Sequence, residues 1–190
     1  MKIQKNLAST RQRWLKKPIQ ANKLQLWLID NGSLTARLQQ RFSTFAVKPV
    51  AVKYGKLTQD EAAFLLQPNY QNALIREVLL IGDNQPVVFA HSILPRASLR
   101  GAWNGLSRLG TKPLGAALFA NQKVKRTALS YKKLTPIHAL YQHATRHLTQ
   151  SSEVRRPPYL WARCSIFSLS CANIMVTEVF LPQLLVTKNV

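Results

Sequence analysis

Acidic residues are scarce in this chain. Its 190 residues hold seven Asp and Glu against 27 Lys and Arg, a formal net charge of +20. Cysteine is nearly absent. Cys164 and Cys171 are the two in the chain, and their spacing is not CxxC, so a disulfide framework is excluded. With four scattered His, no structural zinc set is expected. Seven Gly and ten Pro exclude collagen-like and Gly-rich linker chains. No apolar run approaches the ~18 residues that suggest a membrane span. The start, MKIQKNLASTRQRWLKK, has no apolar centre of the secretory kind, so a cytoplasmic protein is expected. There is neither a P-loop nor a GxGxxG after a strand, which leaves nucleotide binding unsupported.

What is present is a core. Hydrophobic residues make up 46% of the chain, too much for a disordered basic tail. The length suits one domain over residues 1–190, with residues 1–20 as a basic, flexible arm. Residues 1–53 carry eleven Lys and Arg and one acid, Asp30. Such charge can serve a nucleic acid, a solvated surface, or attraction of a small dianion. The cations are spread thinly, and no RNP motif, zinc finger or basic zipper goes with them. An obligatory nucleic-acid partner is therefore not expected.

Local signals alternate between strand and helix. Leu24, Trp27 and Leu28 have helical spacing. After Asn31-Gly32, Ser33 suits the N-cap of a helix through Phe42. Residues 45–54 read as a strand, with Pro49 marking an edge or bulge. Thr58 and Glu61 form a capping box. Residues 73–81, ALIREVLLI, are apolar on both faces, as in a central strand. Gly82-Asp83-Asn84-Gln85 is a hairpin turn, and PVVFAHSIL returns. Ser98 suits the cap of a helix ending near Gly110, and Thr111-Lys112-Pro113-Leu114-Gly115 reads as a loop that opens a short helix to Phe119. Residues 122–131 read as a strand. Thr135-Pro136 suggests a helix start running to about Leu148. Residues 159–169 and 174–181 read as a second hairpin. The sum is α+β, a single antiparallel sheet of about six strands with helices packed on it.

Two charges sit where apolar residues belong. Arg76 shares a strand face with Leu74, Val78 and Leu80. A guanidinium there keeps its charge and needs an anion, either a core carboxylate such as Glu178 or a ligand. Glu77 points to the opposite face. Glu178 shares its face with Ile174, Val176 and Phe180. Burial disfavours its ionised form unless a cation is near, which makes it a candidate acid/base or ligand contact, or else an edge-strand carboxylate in water. His138, His143 and His147 fall in one helix without a metal-binding motif and read as a solvated face. Cys164 and Cys171 read as core or turn residues rather than nucleophiles.

The runs IREVLLIGDNQPVVFAHSILP, LSRLGTKPLGAALF and WARCSIFSLSCANIMVTEVFLP, preceded by DNGSLTARLQQ, resemble chorismate pyruvate-lyases. The resemblance covers most of residues 24–182. It rests most on Leu-Gly-x-x-Pro-Leu-Gly at 109–115, Arg-Glu at 76–77 and Thr-Glu-x-Phe-Leu-Pro at 177–182. It implies a cofactor-free and metal-free lyase that converts chorismate to 4-hydroxybenzoate and pyruvate for ubiquinone synthesis. It also implies a single sheet whose flaps enclose an internal cavity. By the same resemblance Arg76 holds the ring carboxylate, Glu178 contacts the ring hydroxyl, and Leu34 and Leu114 supply main-chain contacts from the flaps. A cytoplasmic monomer is expected. The rival reading is a non-catalytic domain of the same fold that senses small acids.

Overall fold

The structure, a computed structural model, describes residues 14–68, 71–148 and 156–186. Its frame is one seven-stranded antiparallel sheet. The chain opens with a 3₁₀ turn at Asn22–Leu24, then helices α1 (Gln25–Ile29) and α2 (Leu34–Arg41). Strand β1 (Phe45–Lys56) leads to helix α3 (Gln59–Leu65) and the hairpin of β2 (Asn72–Gly82) and β3 (Gln85–Pro95). Helices α4 (Arg96–Arg100) and α5 (Leu114–Ala120) follow. Short strands β4 (Lys125–Arg126) and β5 (Ser130–Leu134) precede helix α6 (Ala139–Thr145). The hairpin of β6 (Leu160–Leu169) and β7 (Ala172–Phe180) completes the sheet. The spatial order is β1-β2-β3-β7-β6-β4, with β5 also paired to β6.

Local chemistry explains most of these elements. Asp83 and Asn84 adopt φ of 47° and 64°, the left-handed pair that a two-residue hairpin turn requires. Pro49 lies on the edge strand β1, where the register shifts between Pro49 and Ala51. Thr58 and Glu61 form the full capping box of α3. Ser33 caps α2 by accepting from the Ala36 N–H. Strands β2 and β3 are buried on both faces, which is why their sequences are mostly apolar, with Arg76, Glu77, His91 and Ser92 the buried exceptions.

Register sorts the side chains onto two faces. The rows Arg76–Ser92–Val176 and Val78–Ala90–Glu178–Arg163 lie on one face. The row Glu77–His91–Thr177–Cys164 lies on the other. Leu34 and Leu38 of α2 pack on the first face against Val78, Leu80 and Ala90. Leu114 and Leu118 of α5 pack there against Leu74, Leu94 and Phe167. The reverse face is covered by Leu140, Tyr141 and Ala144 of α6 over Leu79 and Phe89, and by Leu65 of α3 over Ala73 and Ile93.

Four local expectations are corrected. Ser98 does not cap a long helix. It lies inside the five-residue α4, and its Oγ donates to the Asn173 carbonyl. The strand expected over 122–131 is divided into β4 and β5. Arg126 pairs with Phe167 and Ser130 with Cys164, so four steps on one side meet three on the other, a bulge. Helix α6 starts three residues after Pro136, because the His138 ring caps it by accepting the Leu140 N–H. The histidines are not a solvated face: His143 bonds Glu77, and His147 stacks on Phe89. In the arm, Leu15 makes two backbone hydrogen bonds with Tyr131. Residues 1–13 and 149–155 lie outside the described part.

Candidate active site

The flap-covered face encloses a cavity of about 40 Å³. Leu34, Arg76, Leu114 and Glu178, the four residues singled out in the sequence, all line it. Arg76 comes from the paired strand β2 and is 3% exposed. Its Nη2 donates to the carbonyl oxygens of Gly110 and Lys112, at 3.0 and 3.1 Å, in the loop that leads into α5. Burial lowers its pKa, yet a guanidinium stays charged. Among the described residues no carboxylate pairs with it. The internal Arg76–Glu178 pair considered from the sequence does not form.

Glu178 has a different cation. Its Oε2 accepts from Arg163 Nε at 2.5 Å. The two residues are direct cross-strand partners on β6 and β7. Arg163 is 1% exposed, and its Nη1 also donates to the carbonyls of Trp27 and Asp30, at 2.9 and 2.6 Å. It thus ties the Glu178 carboxylate to the backbone that leads into α2. Arg126 works beside it. Nε donates to Ser165 Oγ at 2.9 Å, Nη1 to the Asn31 carbonyl at 2.9 Å, and the guanidinium lies over Phe167. Arg126 lines the cavity as well, and burial lowers its pKa, with nearby Glu178 acting in the opposite sense.

Leu34 and Leu114 are the first residues of α2 and α5. Their amide N–H groups therefore have no acceptor within the helix. The two flaps touch: a Cβ on Gly115 would stand 3.2 Å from Thr35 Oγ1, so glycine permits this close approach. Arg126 and Arg163 escaped the sequence reading. Arg163 lies in WARCSIF and carried the signal that exposed Arg76, a cation inside an apolar strand. Arg126 lies in KVKRTALS and looks like one surface cation among several.

Cys164 is buried, which pushes its thiol up to about 12, and Cys171 is exposed at the β6–β7 turn. Among the described residues no group of three His, Cys, Asp or Glu is arranged to hold a metal. None of their helices is long and apolar enough to cross a membrane.

An open antiparallel sheet with helical flaps over one face defines an α+β class. A regulator of the GntR family from Bacillus cereus shares it, with TM-score 0.55 and 13% identity over 78% of this chain and 99% of that one. PhnF from Mycobacterium smegmatis does so with TM-score 0.56 and 13% identity, over 83% of this chain and 67% of that one. These likenesses concern the fold. Within the class, the chain belongs to the chorismate lyase family, whose model matches residues 9–190. A probable chorismate pyruvate-lyase from Methylobacillus flagellatus is 45% identical over 92% of this chain and 96% of its own length. Another from Nitrosospira multiformis is 48% identical, over 84% and 86%.

Proposed function

We propose that the chain is a chorismate pyruvate-lyase, which eliminates pyruvate from chorismate to give 4-hydroxybenzoate for ubiquinone synthesis. The observation that carries this reading is Arg76. It is a buried guanidinium facing the flap-covered cavity, with no counter-ion among the described residues. The acid that shares the cavity, Glu178, is already held by Arg163. A buried cation left this way favours an anionic ligand.

Chorismate carries two carboxylates, and two guanidinium groups line the cavity. Arg76 binds the ring carboxylate by a charge-assisted pair, and the Leu34 and Leu114 amides add main-chain contacts. Arg126 faces the carboxylate of the enolpyruvyl arm. Glu178, fixed by Arg163, accepts a hydrogen bond from the ring hydroxyl. The reaction removes a proton from the ring carbon that bears the hydroxyl. The bond from the ring carbon to the ether oxygen breaks, its electron pair leaves on that oxygen, and the released enolpyruvate takes up a proton to become pyruvate. Aromatisation drives the step, so the protein's task is to orient the substrate, exclude water and stabilise the departing charge. A cavity of about 40 Å³ has room for about three waters, less than a ring acid needs. The flaps must open to admit the ligand.

Residues 1–190 act as one domain, in the cytoplasm, as a monomer without cofactor or nucleic acid. The test is direct: purified protein is mixed with chorismate, and 4-hydroxybenzoate and pyruvate are measured. Equal amounts of both products support the lyase. Tight binding of 4-hydroxybenzoate without turnover overturns it in favour of a small-acid sensor.

A further inference from the structure

A second cavity, of about 430 Å³, opens on the reverse face of the sheet. This volume falls within the ~300–1,000 Å³ range of small-molecule sites. Its walls come from β1, α3, β2, β3, β5, α6 and the start of the described chain. Four charged groups are built into its wall, since Glu61, Glu77, His91 and Lys132 are all buried, and the exposed Lys53 and Lys56 stand at its rim.

The acids in this wall are already engaged. Asp60 holds Lys132 at 2.8 Å. Glu61 and Glu77 hold the two ring nitrogens of His91, each at 3.0 Å. Glu77 also holds His143 Nδ1 at 2.8 Å. The donors are not used up. Lys53 and Lys56 have no hydrogen-bonded or ion-paired partner among the described residues. Lys132 spends one of its three hydrogens, on Asp60. His138 Nδ1 accepts the Leu140 N–H, so its Nε2 carries the proton of the neutral ring. Trp14 Nε1 is buried and has no hydrogen-bond partner. Ile75, Leu140 and the Trp14 ring supply apolar wall, suited to a flat hydrocarbon body.

We propose that this reverse-face cavity is a second binding site, for a small aromatic carboxylate. The carboxylate meets the Lys53, Lys56 and Lys132 ammonium groups, and the ring lies between Ile75 and Leu140, beside the Trp14 indole. The site does not rest on the lyase reading, since it shares no residue with the flap-covered cavity.

Benzoate is the probe, titrated into the ¹⁵N-labelled full chain. The Trp14 indole N–H signal is assigned by its loss in Trp14→Phe. The expected result is a saturable shift of that signal in the parent and equally in Arg76→Ala, which disables the other cavity. Lys53→Gln/Lys56→Gln removes two exposed cations without touching the core, and should weaken this binding roughly fivefold. The proposal is overturned by no saturable Trp14 shift in the millimolar range, by a shift that disappears in Arg76→Ala, or by full affinity in the double-Gln variant. Turnover of chorismate plays no part in the readout, so failure here leaves the lyase test untouched.

Discussion

Arg163→Met removes a guanidinium while keeping an apolar stem of similar length. Arg163 is 1% exposed and supplies the ionic partner of Glu178. Removing one member of a buried pair costs roughly 3–5 kcal/mol, because the other charge is stranded. The Glu178 side chain is 15% exposed, so some water reaches it, and the low end, about 3 kcal/mol, is expected. The carbonyls of Trp27 and Asp30 lose a charged donor too, the first of them in a buried bond, but that loss occurs in both variants that carry Arg163→Met and cancels in the coupling. A loss of about 3 kcal/mol is a large part of the 5–15 kcal/mol that holds a domain together. In Arg163→Met/Glu178→Gln the stranded charge is gone, so the double variant should be no less stable than Arg163→Met alone. The assay is urea unfolding of parent, both single variants and the double variant at one pH. A coupling energy of about 2 kcal/mol is expected, beyond the additivity error of ~0.5 kcal/mol. Strict additivity would refute the view that Glu178 is held in place by Arg163 and not by the strand alone.

Four further outcomes follow from the same geometry. Arg76→Ala should weaken 4-hydroxybenzoate binding by ~2–5 kcal/mol in calorimetry, and unchanged affinity in the folded variant would move the carboxylate anchor elsewhere. Arg126→Ala should lower kcat/KM for chorismate far more than affinity for 4-hydroxybenzoate, since the product has lost the second carboxylate; equal losses in both would remove Arg126 from that role. Opening of the flaps precedes release, so rapid mixing with excess chorismate should give a burst equal to the enzyme concentration, and Leu34→Ala should relieve product inhibition more than it slows the chemical step; a linear trace would sink gated release. The reverse-face ion network makes stability depend on pH. Burial pushes Glu77 up, but hydrogen bonds from His91 and His143 outweigh it and hold it at about 2. Its contribution is present above the ordinary 4.5 and lost as pH falls through about 2. Burial pushes His91 down, but Glu61 and Glu77 outweigh it and raise it above 6.5, so its contribution is full below 6.5 and lost as pH rises through the raised value. His138 and His147, which burial lowers, act in the opposite sense. The measurement is therefore the urea midpoint of the parent minus that of His91→Gln, and a difference that stays flat from pH 5 to about 9 would refute the His91 assignment.

The elements that the sequence made legible are those fixed by neighbours in the chain. The capping box at Thr58 and Glu61 closes within four residues, and the Asp83-Asn84 turn within two. The two-residue period put Arg76 and Glu178 on buried strand faces without any knowledge of partners. Which partner each one takes is a matter of register between distant strands. Glu178 meets Arg163 because the β6–β7 hairpin turns where it does, and a shift of one residue would send Arg163 to the other face. Glu77 meets His143 across 66 residues, so the periodicity of α6 alone made its histidines look like solvent groups.

Arg126 shows most clearly why the missing part of the site was missing. Its tripeptide neighbourhood is basic, and basic residues usually belong to the surface. What turns it from the surface toward the cavity is the bulge between β4 and β5. Thr127 anchors that irregular step: its N–H donates to the Ile166 carbonyl at 2.9 Å, and its Oγ1 accepts the Ile166 N–H at 3.0 Å. Arg126 is thereby held opposite Phe167, on the cavity face, while Ser130 restarts the ladder opposite Cys164. From there the Arg126 guanidinium reaches the Asn31 carbonyl, three residues before Leu34 opens α2. Arg163 grips the same stretch at Trp27 and Asp30. Two cations from one side of the sheet, Arg163 buried and Arg126 half-buried, thus hold the root of the first flap, and Arg76 holds the root of the second at Gly110 and Lys112. An arriving carboxylate competes with those carbonyls for the guanidinium groups. Under the proposed function, ligand binding and flap position are therefore coupled through the same hydrogen bonds: an anion that takes the Arg76 donors from the Gly110 and Lys112 carbonyls loosens the root of the flap they hold.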